Sequence, residues 1–127
     1  MKKFVVSAFT ALTMMASPAA FAQTATSAQP RAYMIGSYDI KDQAVFQQYI
    51  EAASPLVTQY GGRVIVYNPN VTAIEGTARS VMAIAEFPSL ADAQRYYNSP
   101  EYTAARQFFT RSTEGFRIIT EGAGLPQ

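Results

Sequence analysis

The stretch SVMAIAEFPSLADAQRYYNSPEY, Ser80–Tyr102, decides the fold of this chain. Its first part, Ser80–Phe87, is an apolar run with β-forming residues, which predicts a strand. After Pro88, Ser89 is the predicted N-cap of a helix. Asp92 lies three residues further on, where it can return a hydrogen bond to the cap, a weak variant of the capping box. The stretch therefore predicts a strand that leads directly into a helix.

The end of the same stretch predicts a corner between two helices. Ser99 is a favourable N-cap, Pro100 gives up no needed donor at the first helical position, and Glu101 is an acid in the positive first turn. Asn98 and Ser99 thus form a break, after which a second helix continues through YTAARQFFT. We interpret the tyrosines around this break as a helix-to-helix corner first, on which any binding site is built: Tyr96, Tyr97 and Tyr102.

The residues upstream predict a strand followed by a helix. AYMIGSYDI, Ala32–Ile40, is β-rich. Asp42 is a plausible N-cap for an amphipathic helix over Gln43–Tyr60, and Pro55 within it is expected to bend or split that helix. The helix should end at Gly61, because glycine most easily takes the left-handed conformation that follows a helix.

Two further segments complete a four-stranded pattern. We interpret RVIVYNP, Arg63–Pro69, and VTAIEG, Val71–Gly76, as one long strand with a bulge, because proline is tolerated in sheets mainly at bulges and edges. This strand forms a hairpin with SVMAIAEF, and Gly115 opens the last strand, FRIITEG. The element order predicts an α+β, ferredoxin-like split βαβ fold, in which helices cover one face of a four-stranded antiparallel sheet.

The strands are apolar on both faces. Large apolar groups occupy odd and even positions of RVIVY and VMAIAEF, and near-continuous apolar strands indicate two buried faces. Because the helices cover only one face, we expect a second copy to cover the other, sheet against sheet, in an isologous homodimer.

The N-terminus predicts export. MKK, the apolar run FVVSAFTALTMMA and the small-x-small pattern ending at Ala22 are typical of a secretory signal peptide over residues 1–22, cleaved after Ala22. The apolar run is shorter than the roughly 20 residues of a transmembrane helix. We therefore expect a periplasmic or secreted protein with no membrane attachment after cleavage, comprising a disordered leader over 23–31, a domain over 32–122 and a tail over 123–127.

The composition of the chain limits the kinds of partner and site that we expect. Loss of Lys2 and Lys3 with the signal peptide leaves eight Lys and Arg against nine Asp and Glu, a formal charge of −1 instead of +1. The basic residues are scattered, which argues against a nucleic-acid partner. The chain has no cysteine and no histidine, so it lacks disulfides, the commonest metal ligand and the usual general base. We expect neither a metal nor a cofactor.

Five segments resemble a known family over Ala32–Gly122: AYMIGSYDI, YGGRVIVYN, AIEG, AIAEFPSLADAQRYYNSPEY and RIITEG. They resemble the domain-of-unknown-function family numbered thirteen-thirty, of the dimeric α+β barrel superfamily. The resemblance implies a homodimer whose two sheets close into a barrel, with a cleft on each subunit between sheet and helices. It implies no reaction. Members often carry an arginine where this chain aligns Phe109, so an anion-binding role for that arginine is in doubt here.

One candidate pair for a site lies on adjacent predicted strands. Arg63 and Glu86 are expected near the same end of the sheet. They could form a cross-strand ion pair that only satisfies both groups. Alternatively, Arg63 is a carboxylate or phenolate clamp, and Glu86 holds it or acts as a base.

The tyrosines are the second group of candidates. Tyr97 and Tyr102 have the helical spacing of core residues, although their hydroxyls need partners when buried. A pocket formed by Tyr60, Tyr97, Tyr102 and Arg63 would suit a small, flat, partly polar molecule. We interpret Ser99 as a cap rather than a nucleophile, and Arg106 as a solvated helix charge.

Three classes of function are compatible with these observations. The first is a homodimeric binding or accessory module with a small hydrophobic or aromatic ligand. The second is a cofactor-free enzyme, similar to a monooxygenase or isomerase, that acts on a small aromatic substrate. The third is an envelope module for protein–protein interaction. We favour the first class, because the enzyme hypothesis lacks a histidine and nothing else in the sequence clearly replaces one. No catalytic residue is assigned.

Overall fold

Seven elements follow one another in this computed structural model, which describes residues 29–124. They are β1 (Ala32–Ile40), α1 (Gln43–Gln59), β2 (Arg63–Asn68), β3 (Val81–Phe87), α2 (Leu90–Asn98), α3 (Pro100–Ser112) and β4 (Thr113–Glu121). The strands form one antiparallel sheet in the order β2-β3-β1-β4. This is the predicted ferredoxin-like α+β arrangement, and the fold prediction is confirmed. The predicted signal peptide, most of the leader and the last three residues lie outside the described residues.

Side-chain caps begin each helix where the sequence indicated. Asp42 accepts a hydrogen bond from the backbone nitrogen of Val45 at 3.1 Å. Ser89 Oγ accepts from the nitrogen of Asp92 at 3.1 Å and donates to its carboxylate at 2.8 Å. Ser99 Oγ accepts from the nitrogen of Tyr102 at 3.1 Å. These bonds satisfy backbone donors that the first turn of a helix leaves unpaired.

Helix α1 continues through Pro55, so it does not split there. The missing N–H of proline leaves the carbonyl of Glu51 without its helical donor. Glu51 and Pro55 are both exposed, so water can bond to that carbonyl. Gly61, with φ of +78°, ends the helix as predicted.

The prediction that Val71–Gly76 continues the second strand was wrong. Strand β2 ends at Asn68, and the one register shift against β3 lies between Val64 and Val66 rather than at Pro69. Asn68 Oδ1 accepts from the nitrogen of Asn70 at 2.8 Å and turns the chain out of the sheet. The loop returns at Ser80, where Asp39 Oδ1 accepts from the Ser80 nitrogen at 2.9 Å.

The core lies between one face of the sheet and the three helices. Strand β1 contributes alternate residues to this face, including Met34 and Tyr38, and β3 contributes the residues opposite them. The helices contribute mainly aromatic residues and alanine, among them Phe46 and Phe109. Tyr96, rather than Tyr97, is the fully buried tyrosine of α2.

The other face of the sheet, which we call the open face, is also apolar. The strand register places large apolar side chains on it, among them Ile35, Ile84, Phe116 and Ile118. Phe116 is 56% exposed and Ile118 48% exposed. The sheet thus has two apolar faces, of which the helices cover one.

Candidate functional site

Arg63 and Glu86 are directly opposite each other on β2 and β3. Arg63 Nε lies 3.1 Å from Glu86 Oε1, and Arg31 Nη1 lies 3.5 Å from the same oxygen. The carboxylate is buried, whereas the side chain of Arg63 is 73% exposed. These groups lie at one end of the open face, and two guanidinium groups satisfy the carboxylate.

The three candidate tyrosines lie on the helix side of the sheet. Tyr60 is half-buried at the end of α1, with its ring 6.0 Å from that of Tyr96. Tyr97 is half-buried, and its ring centroid lies 5.7 Å from that of Tyr102, which is fully buried. Because the sheet separates these rings from Arg63, the structure does not bring the predicted pocket together.

The structure instead brings Arg117 to two buried tyrosines, a cluster that the sequence reasoning missed. Arg117 lies on β4 opposite Gly36 of β1, on the helix side. A Cβ atom at Gly36 would lie 3.1 Å from Arg117 Cγ. Because glycine has no side chain, it leaves space for the side chain of Arg117 to extend over β1 on the helix side of the sheet. Arg117 Nη1 donates to the hydroxyl of Tyr49 at 2.8 Å and to that of Tyr102. The two hydroxyls are 3.0 Å apart.

The charge of Arg117 has no acidic partner within residues 29–124. Burial opposes this charge, but the phenolic oxygens of Tyr49 and Tyr102 outweigh burial and raise the pKa of Arg117. The guanidinium carbon also lies 3.6 Å from the ring centroid of Phe109, a cation–π contact. The site therefore holds a half-buried cation that is oriented by neutral groups.

Part of the guanidinium is available to a ligand. Nη1 makes both hydrogen bonds, and in the described part of the chain Nε and Nη2 have no hydrogen-bond partner. No buried side-chain nitrogen or oxygen there lacks a partner, so Nε and Nη2 must retain contact with solvent. Their N–H groups lie side by side along one edge of the guanidinium, the arrangement that binds two carboxylate oxygens.

The tyrosine hydroxyls form one hydrogen-bonded group beside Arg117. Tyr49 and Tyr102 each accept a hydrogen bond from Arg117 and share one with each other, and the hydroxyl of Tyr96 lies close enough to hydrogen-bond with both. Burial raises the pKa of Tyr102 and of Tyr96 above the usual value for tyrosine. Both phenols are therefore protonated at neutral pH and act as donors, not as bases.

Arg117 borders a cleft between the sheet and α1, which we call the inner cleft. It encloses about 90 Å³. Its walls are mostly apolar and include Met34, Tyr38, Ala53, Val57, Tyr67 and Arg117. A single charged group at the edge of an apolar cleft is typical of sites that orient a small organic ligand.

One sequence signal could have indicated Arg117. Strict alternation along β4 places Arg117 on the same face as Ile119, toward the helices, where a charge is unusual. Tyr49 lies in the apolar stripe of α1, a position that is typical of a core residue. Phe109 of α3 has the guanidinium of Arg117, from β4, above its ring.

The described part of the chain contains neither a metal-binding cluster nor a membrane-spanning helix. Between residues 29 and 124 no group of three or more His, Cys, Asp or Glu side chains could hold a metal ion. None of the helices in this range is both long enough and apolar enough to cross a membrane.

Comparison with known proteins supports the fold. No curated protein matches the chain significantly. A protein of unknown function from Rhodopseudomonas palustris is similar in structure, with a TM-score of 0.64, 18% identity and coverage of 84% of this chain and 93% of that one. A dimeric protein of unknown function and ferredoxin-like fold from Bacteroides fragilis has a TM-score of 0.50 and 19% identity, covering 74% and 98%.

SnoaB, a cofactor-independent oxygenase from Streptomyces nogalater, is also similar, with a TM-score of 0.53 and 9% identity, covering 72% of this chain and 91% of SnoaB. At these identities the likeness concerns the fold alone. The sequence profile of one family, described as Domain of unknown function (DUF1330), matches residues 31–123. This chain therefore belongs to the DUF1330 family, as the resemblance indicated.

Proposed function

We propose that this protein binds a small, flat organic anion, a carboxylate or phenolate, on the helix side of its sheet. The observation that carries the proposal is the guanidinium of Arg117, which two tyrosine hydroxyls orient at the edge of an apolar cleft and which no described acid neutralises. An anion at Nε and Nη2 would supply the missing countercharge. Such charge-assisted bonds contribute roughly 1.5–3 kcal/mol each.

The surroundings favour a ligand with an aromatic or other flat apolar body. Phe109 and Tyr49 present ring faces to the guanidinium, with centroids 3.6 and 5.6 Å from its carbon. Met34 adds apolar surface next to Arg117. A hydrated inorganic anion would gain nothing from these walls, whereas an aromatic acid would bury its ring against them.

Calorimetric titration of the mature protein with benzoate tests this proposal, with benzamide as the neutral analogue. We expect benzoate to bind and benzamide to bind far more weakly. In Arg117→Gln the Kd for benzoate should rise about 10- to 100-fold, the equivalent of one charge-assisted interaction. Arg111→Gln is the matched control, since Arg111 is an exposed arginine stacked on Phe108 at 5.2 Å.

Equal benzoate affinity in the two glutamine variants would contradict the role of Arg117. Arg117→Lys covers the case in which Arg117→Gln fails to fold, because lysine keeps the charge and loses the paired donors. It should retain binding at reduced affinity. If benzoate, salicylate and phenol all fail to bind the wild type, the third class of function, a protein-interaction module, replaces this proposal.

A cofactor-free oxygenase is the second candidate. Arg117 would stabilise the phenolate form of a bound phenol, and SnoaB shares the fold. Against it, burial raises the pKa of Tyr96 and Tyr102, so neither accepts a proton at neutral pH. Measurement of dissolved oxygen with hydroquinones as substrates separates the candidates. Consumption that depends on both wild-type protein and substrate would indicate the enzyme.

We also propose that the active form is a homodimer through the open face. Exposed Phe116 and Ile118 support this, because monomeric proteins rarely expose a large contiguous apolar patch. The dimeric state of the Bacteroides fragilis protein, which has a similar fold, adds to it. Sedimentation equilibrium at micromolar concentration should give twice the mass of the mature chain, and a monomer would refute the proposal.

Export remains a proposal that rests on the N-terminal sequence. The basic start, apolar run and Ala20-Phe21-Ala22 pattern support cleavage after Ala22. Mass spectrometry of protein from a periplasmic or secreted fraction should find a chain that begins at Gln23. A chain that retains Met1 there would contradict this cleavage.

A further inference from the structure

A second, larger cavity lies on the other side of Arg117. It runs between α3 and β4, encloses about 390 Å³, and is called here the α3–β4 groove. Its walls include Tyr97, Arg106, Thr110 and Ile119, and at the edge of β4 it is also bordered by Phe116 and Ile118 of the open face. Three residues border both this groove and the inner cleft: Met34, Phe109 and Arg117. The side chain of Arg117 therefore lies between the two spaces, and a ligand in either space can contact it.

The sizes of the two spaces indicate where the body of a ligand lies. A cavity of about 150 Å³ is known to hold one benzene ring, and the inner cleft, at about 90 Å³, is smaller. The α3–β4 groove, at about 390 Å³, is in the usual range for small-molecule sites, roughly 300–1,000 Å³. A flat molecule anchored on Arg117 thus has room for its ring in the groove.

The groove contains a second guanidinium group with the same arrangement as the first. The guanidinium carbon of Arg106 lies 4.6 Å from the ring centroid of Tyr97, and that of Arg117 lies 3.6 Å from the centroid of Phe109. Stacking occupies one face of a guanidinium and leaves the N–H groups in its plane available. Arg106 is half-buried, and in the range 29–124 it forms no salt bridge.

The groove is lined by two positively charged side chains, Arg106 and Arg117, and by no negatively charged one. Both arginines are cations at any physiological pH. A ligand with one negative charge would neutralise Arg117 and leave Arg106 without a countercharge. A ligand with two acidic groups would neutralise both and would keep its apolar body between the two stacked pairs.

We propose that the ligand is a flat dianion, with one acidic group on Arg117 and a second on Arg106, and with its ring in the α3–β4 groove. This inference rests on the proposed function, because it uses the same anchor on Arg117. It adds the class of ligand, an aromatic diacid, and a specificity residue, Arg106. Tyr97 acts as a positioning residue, because its ring holds the guanidinium of Arg106 at the groove.

Calorimetric titration with the three benzenedicarboxylates tests the inference, with benzoate as the monoacid reference. In the wild type at least one diacid should bind about 10-fold or more tightly than benzoate, since a second charged pair is formed. Arg106→Gln should reduce the affinity for that diacid to the level of benzoate and leave the benzoate Kd within about twofold. Arg117→Gln should weaken the binding of both ligands.

The controls separate this inference from the proposed function. Arg111→Gln removes an arginine of the same helix that lines neither space and should change neither Kd. If no diacid exceeds benzoate, or if Arg106→Gln weakens diacid binding no more than Arg111→Gln does, the dianion inference is wrong. Benzoate binding that still depends on Arg117 would then leave the proposed function intact. If Arg117→Gln changes nothing, both fail.

A measurement on the wild type alone guards against misfolding of the variants. The affinity for the diacid should fall more steeply with added salt than the affinity for benzoate, because two charge pairs are screened instead of one. Equal salt dependence for the two ligands would overturn the inference.

Discussion

Replacing Tyr102 by phenylalanine should remove one oxygen from the centre of the cluster with little change in shape. That hydroxyl is bonded to Tyr49 at 3.0 Å and accepts from Arg117, and the residue is fully buried. A hydrogen bond to a charged group contributes about 1.5–3 kcal/mol, and a neutral one about 0.5–1.5 kcal/mol. Because Tyr49 and Arg117 remain bonded to each other, the loss should be smaller than the sum of both bonds. We expect about 2 kcal/mol.

Equilibrium unfolding in urea measures this loss, at one fixed protein concentration because self-association would add to stability. In a thermal scan the same loss corresponds to about 8–16 °C for a domain of this size. Tyr97→Phe is the matched control, since the Tyr97 hydroxyl makes no hydrogen bond within residues 29–124 and the residue is only half-buried. It should change stability by less than about 0.5 kcal/mol. Equal effects of the two substitutions would refute the bonded cluster.

Three further substitutions test other parts of the structure. Gly115→Ala should lower the free energy of unfolding in urea by about 3 kcal/mol or more, because a Cβ at φ +150° would lie 2.2 Å from a backbone oxygen. Gly76→Ala is the control: its φ is +69° and the space around it is open, so it should lower the free energy of unfolding by about 1 kcal/mol. The hydrogen bond from Arg79 lowers the pKa of Asp39, so the stability that Asp39 adds is complete above its unfolded pKa of about 3.9 and is lost as pH falls below it. The difference between wild type and Asp39→Asn should therefore shrink below about pH 4, and a constant difference would contradict the pKa shift. Ile118→Lys should convert the proposed dimer to a monomer in sedimentation, and an unchanged mass would exclude the open face as the interface.

The structure departs from the sequence predictions at two places. The segment Val71–Gly76 has strand-like composition, yet it leaves the sheet because the turn at Asn68 and the bonds of Asp39 hold the loop elsewhere. Pro55 does not split α1, and Glu51, whose carbonyl it leaves without a donor, is an exposed residue. For the loop, a turn and a contact with the distant strand β1 outweighed the local preference for a strand.

The candidate site could be predicted only in part. Tyr102 belongs to the cluster that the structure forms, but Arg63 and Glu86 lie on the opposite face of the sheet. Arg106 was interpreted as a solvated charge, although a tyrosine ring covers one of its faces. Arg117 was not predicted as a site residue, because a charged residue in a strand is also typical of an exposed sheet edge.

The sequence by itself determined the order of elements, the helix caps, the apolar character of both sheet faces and membership of the family. Each of these depends on residues within a few positions of one another, or on alternation along a single strand. Only the tertiary structure decided that Arg117 meets Tyr49, 68 positions away, and Tyr102 on a third element. That meeting requires the register that sets Arg117 opposite Gly36, together with the packing of α1 against α3. Neither is a local property, because register and helix packing are set by the core as a whole.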